Sequence, residues 1–451
     1  MYKYKGGFVG FGEVNTPIEV VRQKCEEARK LLNENGIELV GADAITDDEK
    51  GEDAARAIRA LKGQEFDFLI VCITGWIPSH TVIRVINEFK EKPMLLWGLA
   101  GKTNGGRLAT TAGQAGTTAL RKPMEDMGFN FKYVYDFPDS PSNIEEIMDF
   151  VKAATAIAKL KRGKVGMMGY RDMRLYGTLY DGVSLRGKIG TEVEFFEMLE
   201  IVQRMENLKK EDIDAVVNKV KSEWVFEKEP KIETLELGAK VYLALKEKIE
   251  ECGYDCVSLI DVDGMKKLLK FPPSMVFMLM ANELGVCTIP ENDTMGAVTQ
   301  LVTRYATGQI SAYFEFYEFM PDRLLVGVPD YVPMEVIEGP LKVCPTSFGL
   351  LSEGILNVSK VKTGRVTLAR LGYKGDKYVM HMITGEAVTP RSWEEVGWTP
   401  PAPQLPSLEV IPDTPVKDFA QKVMGQHYIL TYGDNTGVLT DICNLLGIEI
   451  I

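Results

Sequence analysis

Thr288-Ile-Pro-Glu-Asn-Asp-Thr-Met-Gly-Ala-Val-Thr-Gln-Leu-Val-Thr303, followed closely by Ile310-Ser-Ala-Tyr-Phe-Glu-Phe-Tyr-Glu-Phe319, is the stretch on which the reading of the fold turns. Its first half reads as a loop feeding a helix. Pro290 fixes a turn, and Asp293 can cap a helix that carries Ala297, Leu301 and Tyr305 on one face. Glu291 is then left in the loop just ahead of the helix N-terminus. The second half alternates in the manner of a strand, with Tyr313, Glu315, Tyr317 and Phe319 on one face. A carboxylate at a helix entrance and another inside an aromatic strand are both costly to bury unless they are paired or coordinate a metal.

Upstream of this stretch the chain alternates apolar strands with amphipathic helices. Gly6 to Phe11 reads as a strand. Thr16-Pro17-Ile18-Glu19 reads as a capping box, opening a helix with Val21, Cys25, Ala28 and Leu32 on its inner face. Phe66 to Ile73 is nearly continuous in apolar residues, as a parallel strand covered on both faces requires. Helix and strand patterns at 81–90 and 93–98 extend the series, which predicts βαβ units and a doubly wound parallel sheet. A helix over about 142–160 ends in the basic Lys159-Leu-Lys-Arg-Gly163, and the strand pattern restarts at Lys164. Downstream of Gly308 the segments become short and β-rich, at 324–328, 365–371 and 377–383, with dense proline at 400–406. The fold class expected is therefore α/β: two doubly wound α/β domains, 1–160 and 161–308, followed by a C-terminal antiparallel β-barrel-like domain, 309–451.

The bulk properties narrow the function classes. The 451 residues are too many for one core. A net charge of −12 argues against a nucleic-acid partner. No signal peptide and no apolar run near 18 residues is found, so no membrane partner is expected, and the seven scattered cysteines fit a reduced, cytoplasmic chain. With three histidines, a zinc site of two or three His would consume most of them, and no HExxH is present. The Gly-rich 98–116 segment has neither dinucleotide nor P-loop spacing. Asp261-Val-Asp-Gly264 has the start of a calcium loop without the later glutamate, so an EF-hand is not expected. His381, between Val379 and Ile383, reads as a strand-packing residue.

Three motifs together carry a family resemblance. They are P-E-x-D-x-x-G-A around Glu291, with an acidic strand residue 24 positions on; Gly425-Gln-His-Tyr-Ile-Leu-Thr-Tyr-Gly-Asp434 with Leu445-Leu-Gly-Ile; and Trp76-Ile-Pro-Ser-His-Thr81 with Gly105-Gly-Arg107. In this order they resemble the L-fucose isomerase and L-arabinose isomerase superfamily. That resemblance implies a divalent cation, Mn²⁺ with Mg²⁺ or Co²⁺ as substitutes, held by Glu291, Glu315 and His427. Two carboxylates and a neutral imidazole also suit such a cation on donor chemistry alone. The resemblance further implies Glu291 and Glu315 as the acid–base pair of an aldose–ketose isomerisation, and Trp76, His80, Arg107 and Gln426 as contacts to a monosaccharide. It implies a homo-oligomer, trimeric, tetrameric or hexameric, whose first domain covers a neighbour's site. Gln426-His427 stands where arabinose isomerases have a doubled histidine, so fucose-like, arabinose-like and modified sugars all remain open. The competing reading is a sugar-binding or sensor protein with two α/β lobes, and metal-dependent turnover separates the two.

Overall fold

The computed structural model describes residues 3–329, 331–347, 352–393 and 406–451, which leaves most of the Pro-rich run at 400–406 outside the described residues. The chain divides into two compact units, Met1–Ala158 with Gly437–Gly447, and Lys159–Thr436 with Ile448–Ile451.

The first unit is built on five parallel strands. In spatial order they are Ile37–Ile45, Tyr4–Phe11, Phe68–Ile73, Met94–Gly98 and Phe131–Tyr135. The strand Phe68–Ile73 is buried at every position, which is why its sequence shows no alternation. The helix Ile18–Glu34 lies close over the sheet. A Cβ at Gly10 would come within 2.3 Å of Cys25 Sγ, so glycine there is what lets the helix approach. The capping box expected at Thr16 does not form the helix start. Pro17 takes the N-cap position and offers no side-chain bond, its fixed φ serving instead to aim the chain into the helix. The Gly-rich segment is a hairpin, Lys102–Asn104 with Arg107–Ala109, and Gly105 and Gly106 supply the two positive φ angles its tight turn needs.

The second unit combines a parallel sheet with a closed antiparallel barrel. The sheet runs Cys287–Ile289, Cys256–Leu259, Lys164–Met168, Glu192–Phe196 in spatial order. The barrel closes in the order Gly364–Lys374, His427–Tyr432, Ala312–Phe319, Leu324–Gly327, Ser407–Pro412, Lys377–Val388 and back to Gly364–Lys374, all neighbours antiparallel. A further small sheet joins Val225–Phe226 to Lys342–Ser347 and Glu353–Asn357. One apolar core links sheet and barrel, from Met168, Val257 and Leu259 to Phe314, Val366, Leu368, Tyr428 and Leu430.

The helix Thr294–Thr307 stands at the centre of this unit. It packs on the sheet strands Cys256–Leu259 and Cys287–Ile289 and on the barrel strands Gly364–Lys374 and His427–Tyr432. Every residue from Thr294 to Thr303 is buried, so over these residues the single apolar stripe expected of the helix widens to the full circumference, and only its last turn, at Arg304, Tyr305 and Thr307, is partly exposed. Asp293 caps it as expected, accepting from the Gly296 amide at 3.0 Å. Asp261–Leu269 forms a π-helical segment where the sequence suggested a fragment of a calcium loop. Among the described residues no helix is long and apolar enough to cross a membrane.

Candidate functional site

Glu291, Glu315 and His427 come from three separate elements and meet. Glu315 lies on the barrel strand Ala312–Phe319, and His427 is its direct cross-strand partner on the neighbouring strand. Directly opposed residues on one sheet face bring their side chains together. Glu291 arrives from the loop that links the last parallel strand to the central helix. The His427 Nε2 atom is 3.5 Å from Glu315 Oε2, and its Nδ1 atom is 3.8 Å from Glu291 Oε2. Gln426, the residue before His427, turns its Nε2 toward the same Glu291 oxygen at 3.5 Å.

Burial sets the charge of this group. His427 is 4% exposed, and burial pushes its pKa down to about 3, with Asp293 and Arg370 contributing in opposite senses. The ring is therefore neutral at physiological pH, and its lone pair is available. Tyr313 stacks on it at 4.2 Å with 15° between the rings, which fixes its plane. The Tyr313 hydroxyl donates to Asp293 at 2.7 Å, and the Arg370 guanidinium donates to both Asp293 oxygens. Burial alone would raise the Asp293 carboxyl. The guanidinium beside it outweighs that and holds it below the usual carboxylate range. Asn292 Oδ1 and Arg370 Nε are buried here with no hydrogen-bond partner among the described residues.

The backbone of the Glu291 loop is unusual. Glu291 and Asn292 take φ of +63° and +50°, consecutive left-handed positions without glycine. Such residues persist only where the surroundings hold them. The Glu291 amide donates to Asp261 Oδ1 at 2.8 Å, and the Asn292 side chain donates to Met168 O at 2.8 Å and Tyr170 O at 2.6 Å. Asp261 in turn receives the Lys266 ammonium at 2.9 Å, both side chains at most 2% exposed. Asp172 accepts the amides of Val262 and Asp263, each at 2.8 Å. Its carboxyl is pushed up to about 7 by burial and by the Asp261 carboxylate beside it.

As a donor set, two carboxylates and one neutral imidazole fit a hard divalent cation. Adjacent donors on one ion with bonds of about 2.1 Å stand roughly 3 Å apart, near the separations seen here. As placed, the three do not close into a cage, and no group of three His, Cys, Asp or Glu side chains among the described residues does so. The geometry explains why. The two acids face opposite nitrogens of the His427 ring, so a common ion requires one carboxylate to swing toward the other's side of the ring.

The other residues singled out in the sequence fall elsewhere. Trp76, 40% exposed, lies after the strand Phe68–Ile73; His80 is exposed near the start of the helix Ser79–Ile86; Arg107 is exposed on the hairpin. All three belong to the first unit, whereas Glu291, Glu315, Gln426 and His427 belong to the second. His381 is a core residue as expected. It is buried, its Nδ1 is 2.7 Å from the Tyr428 hydroxyl, its ring stacks on Phe419, and burial lowers its pKa to about 4. Sequence reading missed Arg370, Asp261, Lys266 and Asp172. The one available signal was the acidic pair in Asp261-Val-Asp263, which pointed to a different chemistry.

No family model matches the chain. Over 332 residues it is 24% identical to the L-arabinose isomerase of Shouchella clausii (strain KSM-K16). The match covers 68% of this chain and 64% of that protein, so the chain spans less than two thirds of its relative. This is a distant relationship to a sugar isomerase.

Proposed function

We propose that the protein is an aldose–ketose isomerase that acts on a monosaccharide through an enediol, with Glu291, Glu315 and His427 holding a divalent cation, Mn²⁺ in the first instance. The observation that carries this is the meeting of two carboxylates and a neutral, stacked imidazole from a loop and two barrel strands. The distant relationship to an L-arabinose isomerase supports it independently. When bound, the cation would supply positive charge to polarise the sugar carbonyl and offset charge developing on oxygen.

The chain's own groups do the rest. Isomerisation needs a base for the C2 proton and a group that moves a proton between O1 and O2. Glu291 and Glu315 take these two roles. Two carboxylates around one divalent cation can be driven to different proton affinities, as separate acid and base functions require. Gln426, its amide directed at Glu291, steadies that carboxylate and offers hydrogen bonds to sugar hydroxyls. By resemblance, Trp76, His80 and Arg107 contribute to sugar binding, and the active form is a homo-oligomer.

The test is a panel of aldoses and ketoses incubated with the protein and Mn²⁺, products read by NMR, with deuterium incorporated at the isomerised carbon from heavy water. Interconversion that stops with a chelator is the expected result. Sugar binding without turnover for every member of the panel would favour a sugar sensor instead.

A further inference from the structure

Glu291 is the one member of the proposed set that comes from a loop, and its left-handed backbone has to be held from outside. The holding group is Asp261. Its Oδ1 accepts the Glu291 amide at 2.8 Å, while its Oδ2 accepts the Lys266 ammonium at 2.9 Å. Asp261 is itself locked. It opens a π-helical segment whose next two amides are bound by Asp172, and Met173 donates to both Asp172 and Asp263. Met173 and Arg174 also take positive φ, so a second strained turn braces the first. All of this sits at the carboxyl ends of the neighbouring strands Lys164–Met168 and Cys256–Leu259. The sheet's winding diverges there: Glu192–Phe196 lies to one side of the pair and Cys287–Ile289 to the other. That crevice is where open α/β sheets place their ligands.

We infer that Asp261 is a positioning residue for Glu291, with Lys266 answering its buried charge. The inference rests on the reading of Glu291 as a cation-holding acid. Two features of Asp261 separate in principle: the oxygen that accepts the Glu291 amide and the charge that answers Lys266. Only the first positions Glu291. Groups of this kind, one step behind a ligand, typically change metal affinity by about 10–100-fold when removed.

Two double variants distinguish them. Asp261→Asn with Lys266→Met removes both charges and keeps an acceptor for the Glu291 amide. Asp261→Ala with Lys266→Met removes the acceptor too. Each is compared with the unaltered chain by Mn²⁺ titration, and by amide exchange of the peptide over residues 288–293. The Asn variant is expected to bind Mn²⁺ within about 3-fold of the unaltered chain, and the Ala variant about 10–100-fold more weakly. Exchange in the 288–293 peptide should accelerate about tenfold or more only in the Ala variant. Equal Mn²⁺ affinity and equal exchange in the two variants would overturn the inference, whatever their melting temperatures. If the unaltered chain binds no Mn²⁺ at all, the isomerase reading fails by itself, and the exchange comparison still decides whether Asp261 holds the loop.

Discussion

The two parallel sheets are wound alike and finished differently. Numbered in chain order within each sheet, both run second, first, third, fourth, and the first unit adds a fifth strand at the end. Each therefore has its crevice between its first and third strands. In the first unit that crevice is tied with main-chain groups. The Glu13 amide donates to Trp76 O at 3.0 Å, the Thr74 hydroxyl to Phe11 O at 2.7 Å, and Lys24 to the carbonyls of Thr74 and Ala100. In the second unit the same place holds Asp172, Asp261 and Lys266, each at most 2% exposed. A fold of this winding evidently needs no buried carboxylates there. In the second sheet these carboxylates bind main-chain amides, Asp261 that of Glu291 and Asp172 those of Val262, Asp263 and Met173.

The sharpest way to break this comparison is to remove the chemistry that the charged crevice is said to serve. Glu315→Gln should lower turnover by about 10²–10⁴-fold, since a general acid–base group of this kind contributes that much. The near-isosteric amide should leave the fold and the melting temperature unchanged. Near-normal turnover at saturating Mn²⁺ would detach the charged crevice from catalysis.

A second measurement tests the crevices directly. Lys266→Met strands a buried Asp261 carboxylate and should cost about 3–5 kcal/mol in denaturant unfolding. Lys24→Met, which strands only carbonyls and a hydroxyl, should cost about 1 kcal/mol. Equal losses would erase the distinction between the two sheets.

A third measurement is the pH dependence of stability. Asp172 is pushed up to about 7, so in the folded chain it keeps a proton that the unfolded chain has lost. Stability from this group is full below about 4 and falls as pH rises to 7. His381 and His427 are lowered to about 4 and 3, so the unfolded chain takes their protons first, and their contribution is lost as pH falls below about 6.5. The two slopes oppose each other between about pH 4 and 6.5. Asp172→Asn should therefore steepen the rise in stability over that window and flatten the fall between about 6.5 and 7.5. An unchanged profile from urea melts at stepped pH would mean that Asp172 titrates normally.

What was legible in the sequence follows from range. Strands such as Phe68–Ile73 and the Asp293 cap announce themselves because their signals are local. The closure of the barrel does not, because Gly364–Lys374 must find both Lys377–Val388 beside it and His427–Tyr432 far along the chain. The Glu315–His427 opposition is likewise a matter of pairing, and only the family resemblance joined those two residues in advance. Lys266 was unreadable for another reason. A lysine three residues after Asp263 on a helical pattern looks like a solvated face, and nothing local says that the segment widens into a π-helix and turns that side chain inward.

The barrel register carries a consequence of its own. Glu315 meets His427 because Ala312 pairs with Leu430 and Phe314 with Tyr428. A slip of one residue between these strands would send the two side chains to opposite faces. The slipped barrel would keep its strand content, and its far-ultraviolet spectrum would look native. Specific activity in a refolded sample thus counts correctly paired barrels, and its shortfall against the spectroscopic folded fraction measures the proofreading accuracy of this closure.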